Sequence, residues 1–273
     1  MRERRSRVST EKEEGYVKHK LLVLSGKGGV GKTTVSVNLA AALALQGYRV
    51  GLMDVDIHGP NVAKMLGLEE KVHIASEDGK IIPHTLFQSL KVISLGSFVP
   101  KGKPIIWRGP LKNKTIEQFV DDVEWGDLDV LVVDTPPGTG DEHLGIMQAL
   151  GSIDGAILVT TPQTVSKDDA KRAGEFVKVM ESRILGIVEN MSYFVCPTCK
   201  TVHYLFGKDG GQILADELET VVLTKIPQDP MMIVSGDAGK PVPFFFRETA
   251  MEKHFYELSE KILALLGEGS REG

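Results

Sequence analysis

Seven short runs of aliphatic and β-branched residues punctuate the chain, at 21–24, 50–53, 92–95, 130–133, 156–159, 185–189 and 221–225. Several, such as LLVL and VLVV, are apolar without a break, which is the pattern of a strand covered on both faces rather than on one. Between them lie stretches with helical spacing, over 33–46, 112–120, 143–149, 166–181, 212–217 and 247–266. This alternation predicts an α/β fold: a doubly wound, mostly parallel sheet with helices on both faces and ligands outside the carboxyl ends of its strands. Neither a repeat nor a low-complexity linker interrupts it, so residues 20–266 are expected to form a single domain. Residues 1–19 are dense in charge and read as a disordered arm, and 267–273 as a disordered polar tail.

Composition removes some function classes. A net charge of -5 lacks the basic surplus of a general nucleic-acid binder. The longest apolar runs fall short of the roughly 18 to 20 residues that span a bilayer. No apolar segment follows Arg2, Arg4, Arg5 and Arg7, so the N-terminus does not resemble a secretory signal. The expectation is a cytoplasmic protein with neither nucleic acid nor membrane as partner, its two cysteines kept reduced.

The chemistry begins at GKGGVGKT. Gly26, Gly31, Lys32 and Thr33 satisfy the phosphate-loop pattern, and the segment follows a strand and opens a helix as that pattern requires. The backbone of Gly26, Lys27, Gly28, Gly29, Val30 and Gly31, with the helix start at Thr33 and Thr34, is expected to cradle the phosphates of ATP. Lys32 reaches the β- and γ-phosphates and the Thr33 hydroxyl sits on Mg²⁺. The fold class is therefore that of the P-loop NTPases. Lys27 is a lysine more than the pattern needs.

Two acidic segments supply the rest of such a site. Asp134 ends the run at 130–133 and is placed to hold Mg²⁺ through its water shell. Asp54 and Asp56 follow the run at 50–53, and alternate residues of an extended segment point the same way. One supports Mg²⁺ and the other, Asp56 by preference, orients the attacking water. The plainer reading is that Asp54 or Asp56 caps the following turn.

Cys196 and Cys199, in CPTC, give two soft ligands on a short loop. Two thiolates do not complete a tetrahedral zinc site or a four-iron cluster, each of which usually takes four ligands, but a two-fold dimer supplies four. From spacing alone zinc, with His203 as an additional ligand, and iron–sulfur are about equal. A redox-active pair or two incidental thiols are the remaining readings. Trp107 and Arg108 read either as partner contacts or as packing. His58, His73, His84, His143 and His254 lack metal-ligand spacing and read mostly as surface residues. Phe244–Phe246 lean toward core packing, and the C-terminal helix toward covering the sheet.

Taken together, these segments resemble a known group. GKGGVGKT is similar to the deviant Walker A loop of the ParA/MinD class of P-loop ATPases. MDVDIHGPN at 53–61, IWRGP at 106–110, DTPPGTGDEHL at 134–144 and NMSYFVCPTC at 190–199 resemble the Mrp/ApbC iron–sulfur cluster carriers. The similarity runs from about residue 20 to 265. It implies an ATP-hydrolysing homodimer with a bridging [4Fe-4S] cluster on Cys196 and Cys199, delivered to apo iron–sulfur proteins. It implies also that Lys27 acts across the dimer, with Lys32 and Asp56, in catalysis, and that Asn190 recognises adenine beside IPQDP at 226–230. An N-terminal four-cysteine motif found in some relatives is missing here. A positioning ATPase acting on DNA or membrane is the alternative, but it leaves CPTC without a purpose. A zinc-bridged dimeric ATPase regulator is the other.

Overall fold

In the computed structural model the described residues are 15–268, apart from 57, 58, 60, 70, 72, 73, 77, 78, 99–115 and 118. The elements in chain order are β1 (Val17–Leu24), α1 (Lys32–Leu45), β2 (Val50–Asp54), α2 (Val62–Met65), β3 (Ile74–Ala75), β4 (Ile81–Ile82), β5 (His84–Leu86), β6 (Leu90–Ser94) and β7 (Leu128–Asp134). There follow α3 (Asp141–Leu150), β8 (Gly155–Thr160), α4 (Thr164–Val179), β9 (Ile184–Glu189), β10 (Phe194–Val195), β11 (Val202–His203) and α5 (Gly210–Leu218). The chain closes with β12 (Val222–Lys225), α6 (Pro230–Asp237), α7 (Val242–Phe245) and α8 (Ala250–Leu266).

All seven apolar runs are strands of one sheet, in the order β12-β9-β8-β1-β7-β2-β6-β5. Every pairing in it is parallel except β5 with β6. The unbroken runs have a simple cause: alternate residues feed opposite cores. Leu21, Val23, Val130 and Val132 pack on the side of α1 and α8, and Leu22, Leu24, Leu131 and Val133 on the side of α3, α4 and α5. Burial of side chains such as Phe255, Leu258 and Ile262 contributes about 1.5–3 kcal/mol each. This is the doubly wound fold the sequence leads one to expect.

The differences are local. β1 starts at Val17, so residues 17–19 belong to the sheet, and His19 Nε2 lies 2.8 Å from Glu268 Oε1 near the C-terminus. The last helix starts after Thr249, whose hydroxyl accepts the Glu252 N–H, and not at 247. His143 is buried, its Nε2 bonding the Pro136 carbonyl at 3.0 Å, which corrects its reading as a surface residue. Phe244 and Phe246 pack against the core while Phe245 is exposed. Of the helix expected over 112–120, residues 112–115 and 118 lie outside the described residues, but Ile116 and Phe119 are buried. Trp107, Arg108, His58 and His73 also lie outside them.

Candidate functional site: a phosphate cradle beside a cysteine hairpin

The sheet order puts β7 between β1 and β2, and Asp54 and Asp134 stand opposite each other in the β2–β7 register. Three strand ends thus bring Gly26–Thr33, Asp134 and Asp54 together, although 102 residues separate Lys32 from Asp134. At the start of α1, Gly31 has φ 85, a left-handed conformation that glycine adopts without strain, and no side chain caps the helix. Its first amides therefore keep their affinity for an anion. Gly28 and Gly29 are exposed, and a Cβ added to either would meet nothing within 4 Å. Gly26 is different: a Cβ there would overlap the backbone of Asp169 in α4. The loop is thus packed on one side and open on the other.

Asp134 is the hub. It accepts from Lys32 Nζ at 2.7 Å, from Thr33 Oγ1 at 2.7 Å and from Ser36 Oγ at 2.6 Å. Lys32 and Asp134 form a buried ion pair. The Thr33 hydroxyl and the Asp134 carboxylate are hard oxygen donors of the kind Mg²⁺ takes, so the residues present fit that ion. Ser36 was not foreseen; its signal is the helical spacing from Lys32, which sets both on one face of α1.

Asp54 is entirely buried. It accepts from Ser94 Oγ at 2.8 Å and from the Asp56 N–H at 3.0 Å. Burial first, then repulsion from Asp134, pushes its carboxyl up to about 8. Asp56 in turn accepts the Gly59 N–H at 3.1 Å and borders the cavity. Both aspartates thus do cap the turn after β2, the plainer of the two sequence readings. Capping does not prevent Asp56 from also facing a substrate.

The cavity above the loop holds about 800 Å³, a volume suited to a small ligand. It is bordered by Lys27, Gly28, Gly29, Lys32, Thr33, Thr34, Asp56 and Asn190 among the expected residues. Lys27 is half-buried there, and its carbonyl accepts from Ser25 Oγ at 3.0 Å. Segment 226–230 also borders it through Pro227, Gln228, Asp229 and Pro230, the last two being the N-cap and first residue of α6. The loop after Asp134 is tied down by the Gly138 N–H on Ser25 O and by His143 on Pro136. Burial holds His143 below the ordinary histidine range, which keeps it neutral.

The cysteines sit on a hairpin that sequence periodicity did not reveal, because β10 and β11 have only two residues each. Its turn is closed by the Lys200 N–H on Cys196 O and the Cys196 N–H on Thr201 O, with Lys200 at φ 60. Cys196 is half-buried and Cys199 exposed. Thr201 Oγ1 lies 3.2 Å from Cys199 Sγ, and this hydroxyl, with the Thr201 N–H, brings the thiol down to about 7. The thiolate that binds metal is therefore well populated near neutral pH. Among the described residues no third His, Cys, Asp or Glu converges to complete a metal site, His203 included. Phe194 and Leu205, flanking the cysteine turn, border the same cavity as Lys27.

A parallel sheet with a GKGGVGKT loop at its central strand and an aspartate at the next strand tip defines a P-loop nucleotide-binding protein. The model of the NUBPL iron-transfer P-loop NTPases, within the ParA group, matches residues 16–263, and the chain belongs to this family of iron–sulfur cluster carriers. The iron–sulfur cluster carrier protein of Methanocaldococcus jannaschii is 47% identical over 94% of this chain and 87% of its own. The cytosolic Fe-S cluster assembly factor NUBP2 homolog of Dictyostelium discoideum is 48% identical over 82% of this chain and 86% of its own. Among solved structures, a nucleotide-binding protein of Archaeoglobus fulgidus in complex with ADP superposes with a TM-score of 0.73. It is 34% identical, and the match covers 87% of this chain and 94% of that one. No helix among the described residues is long and apolar enough to cross a membrane.

Proposed function

We propose that residues 17–266 act as one domain that binds and hydrolyses ATP, pairs as a two-fold dimer and carries a [4Fe-4S] cluster between two cysteine hairpins for delivery to apo iron–sulfur proteins. The observation that carries this reading is that Phe194 and Leu205, beside the cysteine turn, border the same cavity as the phosphate loop. With two thiols per chain, a second copy supplies the four ligands a cubane cluster takes.

The residues have distinct tasks. The loop amides and the start of α1 receive the phosphates, and Lys32 exchanges its Asp134 partner for them. Thr33 and Asp134 would hold Mg²⁺, which when bound offsets charge on the β- and γ-phosphate oxygens. Asp54, buried behind this layer, supports the turn that presents Asp56. Asp56 faces the cavity and orients the attacking water, Lys27 completes the partner's site, and Asn190 lies at the base pocket. At the hairpin, a Cys199 thiol lowered to about 7 loses its proton readily to accept the cluster.

Metal analysis under nitrogen tests the cargo. Reconstitution with iron and sulfide is expected to give about four irons and four sulfides per two chains, with broad visible absorbance, lost in Cys196→Ala. Protein that is colourless and retains only zinc after anaerobic purification defeats the reading.

A further inference from the structure

A short run of residues connects the phosphate loop to the cysteine hairpin, and one asparagine joins the two. Asn190 follows β9, is buried, and anchors its own N–H on Thr160 O at 2.8 Å. Its side-chain Nδ2 donates to the Val30 carbonyl, inside the phosphate loop, at 2.8 Å. The fit is close, since a Cβ on Gly31 would stand 2.2 Å from Asn190 Nδ2. A trans peptide is planar with its C=O and N–H opposed. Holding the Val30 carbonyl toward Asn190 therefore sends the Gly31 N–H away from it.

The run then leads directly to the hairpin. Met191 takes φ 53, uncommon for a residue with a side chain and sustained only by its surroundings. The Ser192 hydroxyl donates to the Glu189 carboxylate at 2.5 Å, and the Ser192 N–H to Ile226 O at 2.9 Å. The Gln228 N–H donates to Tyr193 O at 2.7 Å, and Phe194 begins β10. Beyond the hairpin, the Glu189 carboxylate also receives the Gly211 N–H at the start of α5. Both ends of the cysteine segment are thus tied to the residue that precedes Asn190.

We propose that Asn190 is a positioning residue that couples occupancy of the phosphate loop to the placement of the cysteine hairpin. This rests on the nucleotide-site reading above. An anion on the loop amides polarises the peptide groups of the loop, and a polarised carbonyl is a better acceptor. The Asn190–Val30 bond strengthens, segment 190–193 opens less often, and the hairpin amides follow. Base recognition through Oδ1 is compatible with this bond, since Nδ2 keeps the Val30 carbonyl while Oδ1 accepts from the adenine amino group. An amide that instead turns Nδ2 to the base leaves the Val30 carbonyl and loosens the segment.

Hydrogen exchange on the full chain, read by mass spectrometry with and without Mg–ADP, tests the coupling. Each protein is measured at a nucleotide concentration that saturates it by calorimetry. In the wild type, exchange across 191–203 is expected to slow about five-fold, the scale of one hydrogen bond. Asn190→Ala and Ser192→Ala, which cut the path at its two ends, are expected to lose that slowing. Ser192 does not border the cavity, so its variant reports the path without touching the nucleotide. Equal slowing in both variants, or wild-type exchange that is unchanged or faster with ADP, overturns the proposal. No calorimetric binding to the wild type overturns the nucleotide site itself, and the coupling with it.

Discussion

At the scale of single residues, Asp54 shows how the site stores a proton. In the unfolded chain its carboxyl titrates near the usual 3.8, and in the fold near 8. The folded state therefore holds the extra proton across that window, and stability must fall as pH rises through it. Asp54→Asn keeps the acceptor for the Asp56 N–H and gives Ser94 a donor, but has no proton to lose. The melting temperature of the nucleotide-free variant, minus that of the wild type, is expected to grow from pH 5 to about pH 8 and to level off above it. A difference that stays constant with pH would show that Asp54 is not the group holding the proton. The sequence made Asp54 and Asp134 legible as strand-tip carboxylates, because each ends an apolar run. It did not make the shared burial legible. That depends on β2 and β7 being neighbours, and on Ser94 and Ser36, which lie 40 and 98 residues from the aspartates they bond.

At the scale of elements, legibility followed length. Long apolar strands and the long helices announce themselves by period, so the sheet and its covering layers were readable. The two-residue strands of the cysteine hairpin carry no period, and their geometry comes from a turn with Lys200 in a left-handed conformation. α6 was readable in principle from Asp229–Pro230, where Asp229 accepts the Met231 N–H and proline occupies the first turn. The hairpin's geometry sets the reactivity of its thiols. Thr201→Val removes the hydroxyl beside Cys199 and keeps the side-chain volume. The pH midpoint of Cys199 alkylation by iodoacetamide, read in a Cys196→Ala background, is expected to rise toward the ordinary thiol value of about 8.5. Cys196 also contributes to the lowered value, so the comparison is between proteins with and without Thr201→Val that share that background. An unmoved midpoint would assign the shift to the backbone of the turn.

At the scale of the whole molecule, the proposed function gives one chain half of two things: two of four cluster thiols, and a phosphate loop whose added lysine, by family resemblance, serves a partner. A two-fold axis meets both needs at once, because the hairpin and Lys27 border one cavity. The proposed dimer is thereby open to a complementation test. Lys27→Ala leaves a chain that receives a lysine but gives none, whereas Asp56→Ala leaves one that gives a lysine but cannot orient water. Each homodimer is expected to be inactive in ATP hydrolysis. In a mixed dimer, the site on the Lys27→Ala chain has its own Asp56 and the partner's lysine, so it is complete. An equimolar mixture that exchanges subunits freely should recover about one quarter of wild-type turnover, since half the dimers are mixed and one of their two sites works. If Lys27 serves its own chain, neither site of the mixed dimer is complete and mixing restores nothing. Lys32→Ala in place of Lys27→Ala discriminates further. Lys32 acts on its own loop beside Asp134, so a Lys32→Ala and Asp56→Ala mixture has no complete site and should remain inactive under either arrangement.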